Sequence, residues 1–165
     1  MTRRSFLSVG LAMSADASVA ERSTEFARRI FLRINELRLK SGVGALAWSD
    51  AVARCALDQS VRKDRLRFPG HDDPERGGVS ERLGAAGIHW AQCGENIFQE
   101  RGYDDPVHLA VVSWWYSPGH KENMLNPEYT QTGLGVAHGA DGTYFVTQIF
   151  MLPLISTGRG PRAIR

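Results

Sequence analysis

"TGLGVAHGADGTYFVTQIFML", residues 132–152, is the stretch that decides the architecture. Two runs rich in β-branched and aromatic residues flank Gly-Ala-Asp-Gly at 139–142, the pattern of an antiparallel hairpin. The signals upstream are helical. Between 21 and 40, Phe26, Ile30, Ile34 and Leu37 recur every three or four positions among charges, which predicts a helix with one buried face, ended by Ser41-Gly42. Ser49 is placed to cap a second helix through Arg65, on which Val52, Cys55, Ala56 and Gln59 share a face and Cys55 points inward. Residues 67–78, dense in Pro, Gly and Asp, read as a loop, and "SERLGAAG", 80–87, as a short helix stopped by Gly87. Asp105-Pro106 opens a third long helix, apolar through Leu109, Val111, Val112, Trp114 and Trp115, with both tryptophans expected in the core. Helices first and a hairpin last imply an α+β or layered α/β/α domain.

That third helix runs into "SPGHKENMLNP", 117–127. Proline removes a donor and disfavours helix at the residue before it, so the chain is expected to turn here. With Pro118 second and Gly119 third in a type II turn, His120 would leave in one fixed direction.

The 165 residues fit one domain. No apolar run approaches the roughly 20 residues of a bilayer-spanning helix, which excludes a transmembrane segment. The 20 basic and 18 acidic residues are mixed along the chain without a long basic block, which gives no electrostatic reason to expect nucleic acid. Residues 1–20 read as a signal peptide: Arg3-Arg4, a short apolar stretch from Phe6 to Met13, then small residues offering cleavage after Ala20. The arginine pair with Phe6 and Leu7 resembles a twin-arginine export signal, so export to the periplasm or beyond the cell is expected. Cleavage would remove two arginines and one aspartate and lower the net charge from +2 to +1. Cys55 and Cys93 lack CxxC spacing, which excludes a zinc ribbon or a thioredoxin motif; a disulfide and two free thiols both stay open.

The chain holds no GxxxxGK[ST] phosphate loop, GxSxG elbow, HExxH helix or GxGxxG turn. The candidates for chemistry are His71 in its loop, Glu95 in "GEN" and His120 in "SPGH". Imidazole titrates near neutral pH and carboxylate supplies compensating charge, the pairing used to bind zinc or move protons. Gly94 permits a close or left-handed backbone beside Glu95, and Asn96 can bond its own main chain. Structural roles stand beside these: His120 capping the 121–125 turn, Glu95 accepting backbone amides. His89, His108 and His138 read as packing or surface residues.

"GENIF", an apolar helix with tryptophan, "SPGHKENML", "YTQTGLGVAHG" and "YFVTQIF", in that order, resemble the bacterial branch of the CAP superfamily, the relatives of cysteine-rich secretory proteins, antigen 5 and pathogenesis-related proteins. The resemblance covers about 26–150; together with the leader read from its own residues, the chain divides into a signal peptide at 1–20, a CAP (SCP) domain at 21–152 and a tail at 153–165. It implies an α/β fold, an α/β/α sandwich around a central antiparallel sheet, with an open cleft. In many members two histidines and two glutamates line that cleft, and in some the histidines hold zinc or another divalent metal. Carried over, His71 and His120 are the two histidines and metal ligands, and Glu95 the "GEN" glutamate. The second glutamate is absent: the spacing from Trp114 reaches Ser117, with Glu122 as a stand-in one turn on. An alternative reading of "EYTQ" puts Glu128 at a histidine position.

The expected function is an exported binding module, its partner a small apolar or lipid ligand, a glycan or a protein, with a divalent metal such as zinc as a candidate cofactor. The alternatives are a metal-dependent hydrolase or peptidase, with Glu95 as base or third ligand, and a structural protein of the cell envelope.

Overall fold

The computed structural model describes residues 5–154, with side chains from residue 17 onward. The arginine pair at 3–4 and the tail beyond 154 lie outside the described residues. The elements in chain order are α1 (Ser5–Lys40), β1 (Ala47–Trp48), α2 (Asp50–Leu66), α3 (Val79–Ala85), β2 (Trp90–Arg101), α4 (Pro106–Tyr116), α5 (Pro118–Leu125), β3 (Gln131–His138) and β4 (Thr143–Pro153). The strands form one sheet in the order β1-β3-β4-β2. The hairpin is as the sequence implied: β3 and β4 pair antiparallel from Gln131↔Met151 to His138↔Tyr144.

Helices cover both faces of the sheet, giving the α/β/α sandwich. On one face Phe26, Ile30 and Ile34 of α1 and Val111 and Trp114 of α4 pack with Leu134, Val136, Val146 and Phe150. On the other, Val52, Cys55 and Ala56 of α2 pack with Leu83 and Ile149. Two glycines let α2 lie directly on β3. A Cβ at Gly133 would stand 2.1 Å from Ala53 N, and one at Gly135 2.1 Å from Leu57 Cα, separations no side chain tolerates.

The caps follow sequence chemistry. Ser49 Oγ accepts from Val52 N at 3.5 Å at the start of α2, and Asp105 Oδ1 from Val107 N at 2.9 Å at the start of α4. Trp114 is wholly buried, its Nε1 donating to Ile97 O at 2.9 Å, whereas Trp115 stays at the edge of the core with Lys121 Nζ 4.1 Å from its ring centre. His138 stacks on Tyr144, and His89 and His108 have no hydrogen bond from their side chains among the described residues, consistent with packing and surface roles.

Three expectations need correction. The first helix begins at Ser5 rather than near residue 21. The irregular approach to "CGENIF" is part of a 12-residue strand, β2, paired along nearly its whole length with β4. The central sheet is antiparallel across β3, β4 and β2 as expected, and the two-residue β1 adds to it parallel to β3 at Ala47↔Gln131 and Trp48↔Thr132. Ser117-Pro118-Gly119 is not a type II turn. Ser117 is the extended residue between two helices, and Pro118 is the first residue of α5, where its fixed φ suits helix and its missing N–H costs nothing. The two thiols are free; Cys55 is buried and Cys93 half-buried.

Candidate functional site

The loop at 67–78 carries His71, and side chains from the neighbouring helices clamp its backbone. Lys63 Nζ donates to Phe68 O at 3.1 Å and Gly70 O at 2.7 Å. His71 O accepts from Gln59 Nε2 at 3.1 Å and Arg82 Nη1 at 3.0 Å. Further along, buried Asp73 takes both arms of Arg62 and accepts Glu75 N at 2.9 Å and Arg76 N at 3.1 Å through Oδ1. The Arg62 guanidinium, foremost among these, holds the Asp73 carboxyl well below the usual carboxylate range. A segment rich in Gly and Pro thus presents an imidazole from a fixed frame.

Each residue of "GEN" has its own task. Gly94 allows a close approach: a Cβ there would meet Tyr129 Oη at 2.6 Å and Asn123 Oδ1 at 2.8 Å. Glu95, 6% exposed, enters the cleft. Its Oε1 lies 3.0 Å from His71 Nδ1, and its Oε2 takes Arg82 Nη2. Asn96 does not fold onto its own main chain. Its Nδ2 donates to His120 O at 3.0 Å, and its Oδ1 accepts from Asn123 Nδ2 at 3.0 Å, which docks α5 onto β2. That docking sets the position of His120.

His71 and His120 therefore meet, with ring centres 6.3 Å apart. His120 Nδ1 is buried without a hydrogen-bond partner among the described residues. Burial, and secondarily His71, push the His120 pKa below its ordinary value. Glu95 Oε1 holds the Nδ1 side of His71, so the Nε2 side is left for a ligand, the way outer carboxylates orient histidines at metal sites. A zinc about 2.0–2.1 Å from one nitrogen of each ring would set the ring centres roughly 5–6 Å apart, close to what is found. No group of three His, Cys, Asp or Glu side chains able to hold a metal occurs among the described residues. What the cleft brings together is the two imidazoles and the Glu95 carboxylate. Glu122 and Glu128 are exposed and contact neither histidine by a hydrogen bond among the described residues, so neither fills the place of the missing glutamate.

Sequence reasoning missed Arg82. Its side chain is fully buried, and with Gln59 it joins the loop, α3 and β2 at Glu95. "SERLGAAG" marks it as a helical arginine and nothing more; only the fold reveals the carboxylate that it meets.

Comparison with known proteins agrees with this architecture. The profile of the cysteine-rich secretory protein family, CAP, matches residues 31–150. Two Bacillus subtilis proteins are similar: the uncharacterized membrane protein YlbC is 32% identical over 102 residues, covering 62% of this chain and 29% of its own, and the uncharacterized protein YkwD is 28% identical over 122 residues, covering 74% and 45%. A solved extracellular protein containing an SCP domain, from Bacillus anthracis, superposes with a TM-score of 0.68 at 28% identity, covering 78% of this chain and 41% of that one. The chain spans less than half the length of each of these three. It belongs to the CAP family, on its bacterial side.

Proposed function

We propose that this CAP domain is an exported binding module whose cleft offers His71 and His120 as a paired nitrogen site for zinc or another divalent cation. One observation carries the choice of binding over hydrolysis: both oxygens of Glu95 are engaged, one by His71 and the other by Arg82. A general base needs a carboxylate free to take a proton from water, and Glu95 instead orients His71 and balances Arg82. A bound cation would supply Lewis acidity and a bridge to an anionic or carbonyl ligand. The protein's own part is to hold His71 by its backbone and by Glu95, and to aim His120 from α5.

The N-terminal sequence pattern and the likeness to an extracellular bacterial protein support export. No helix among the described residues is long and apolar enough to cross a membrane. A recess of ≈580 Å³ between α1 and α4, where Leu37, Val111 and Trp115 are joined by Arg29, Arg33 and Glu36, supports a small ligand with an apolar body and a polar end as a second occupant of the module. Zinc titration by calorimetry tests the cleft: one equivalent is expected, lost in His71→Ala and in His120→Ala. A hydrolase would instead show turnover abolished by chelator and by Glu95→Gln.

A further inference from the structure

His120 is carried by α5, and α5 has little that places it from within. It is eight residues long, includes Pro118, Gly119 and Asn123, and has Met124 as its buried side chain. A helix this short does not persist on its own propensity, so contacts from other elements decide where it lies. Its last turn holds no basic residue, and its final carbonyls lack intrahelical donors.

The donors come from α1. Arg38 is 1% exposed, and its guanidinium meets carbonyls rather than a carboxylate among the described residues. Nε donates to Gly44 O at 2.7 Å, Nη1 to Met124 O at 2.8 Å and Asn126 O at 3.0 Å, and Nη2 to Tyr129 O at 3.1 Å. Met124 and Asn126 bracket the C-terminal end of α5, where a cation also complements the helix dipole. Tyr129 follows on the same segment, and its Oη is the atom that a Cβ at Gly94, beside Glu95, would meet at 2.6 Å. Burial lowers the Arg38 pKa from its ordinary value. A buried cation without a counter-charge is unfavourable in itself, and an apolar side chain of like size would serve packing better. What arginine adds is a planar fork of donors that reaches several carbonyls at once, which the point charge of lysine does not.

We propose that Arg38 is a positioning residue for the cation site: by fixing the C-terminal end of α5 it sets where His120 stands against His71, without bonding to either ring. The proposal rests on the paired-histidine reading of the cleft. Asn96 holds α5 on β2 through His120 O and Asn123, and Lys121 lies on the Trp115 ring of α4. These contacts all fall between His120 and Asn123. Arg38 takes the carbonyls beyond them, with Met124 about 6 Å along the axis from His120. Anchors at both ends fix the direction of the helix, and with it the direction in which the imidazole points. The Tyr129 contact extends the same hold to the backbone beside Glu95, so one side chain of α1 ties together the segments that carry two of the three cleft residues.

The test compares Arg38→Lys with Val136→Ala, a loss of packing at a buried position of β3 that leaves α5 alone, both in the full chain and under conditions where urea unfolding shows them folded. Two quantities are read: zinc affinity by calorimetry and, without metal, the nuclear Overhauser contact between the His71 and His120 rings, whose centres are 6.3 Å apart. Arg38→Lys should weaken zinc at least about tenfold, the scale of changes behind a metal ligand, and should lose the ring contact. Val136→Ala should keep both. A third measurement needs no variant: coupling is reciprocal, so zinc at about ten times its Kd should slow solvent exchange of the Arg38 Nε proton in the wild type about tenfold. Unchanged zinc affinity and ring contact in Arg38→Lys, equal losses in Val136→Ala, or an Arg38 proton that exchanges at the same rate with and without zinc would each overturn the proposal. A wild type that binds no zinc would overturn the cation reading instead, and the ring contact in Arg38→Lys would then decide the role of Arg38 by itself.

Discussion

Arg82→Met is the perturbation that probes the frame of the cleft most directly. The substitution keeps much of the side chain's length and removes its charge. Arg82 and Glu95 side chains are 0% and 2% exposed, so the carboxylate would keep His71 as its sole polar partner in a site closed to water. Breaking a buried pair by removing one member costs about 3–5 kcal/mol, because an uncompensated charge stays behind. The carbonyls of His71 and Gly77 also lose donors at 3.0 and 3.2 Å, although Gln59 still serves His71 O. At about 2–4 °C per kcal/mol for a chain of this size, the melting temperature should fall by roughly 10 °C. Urea unfolding followed by circular dichroism measures the free energy, and a double-mutant cycle with Glu95→Gln isolates the pair. Neutralising Glu95 in the Arg82→Met background should recover stability, with a coupling of at least about 2 kcal/mol. A loss below about 1 kcal/mol, or strict additivity of the two changes, would refute the reasoning.

Three further outcomes follow from the same structure. Gly135→Ala should prevent folding or cost more than about 3 kcal/mol, since its Cβ would stand 2.1 Å from backbone atoms of Leu57; solubility and circular dichroism decide it. His120 has a pKa lowered by burial, so the unfolded chain takes up its proton first as pH falls. Stability should then decline from about pH 6.5 downward and be flat above, and His120→Asn should remove that part of the slope. Asp73 has a pKa lowered by Arg62, so its contribution is present above the unfolded value of about 4 and is lost as pH falls further. Asp73→Asn should lower stability at pH 7 and flatten the acid limb measured by urea unfolding.

Strong local chemistry made parts of this molecule legible in advance. The hairpin was readable because alternating β-branched residues flank a glycine turn, and α2 and α4 because Ser49 and Asp105 cap them. β2 was hidden by its own buried polar side chains. Glu95 and Asn96 are consecutive buried polar residues facing opposite layers, which breaks the apolar alternation that marks a strand. Pro118 was ambiguous for a physical reason: the same fixed φ serves a turn and the first residue of a helix. Docking of α5 through Asn96 and Asn123 decides between them. The cleft residues His71, Glu95 and His120 were named from residue type and the family resemblance, and they do come together. Arg82 and its pairing with Glu95 were not readable, because a long-range buried pair leaves no periodicity in the sequence.

The proposed binding function rests on His71 and His120 acting as one cation-binding pair set by Glu95. Zinc titration of the wild type beside His71→Ala, His120→Ala and Glu95→Gln tests it in a single experiment. The account predicts one equivalent for the wild type, loss of binding in both histidine variants, and affinity weakened about 10- to 100-fold when the orienting carboxylate is neutralised. Zinc binding that persists in either histidine variant, or no binding by the wild type, would contradict it.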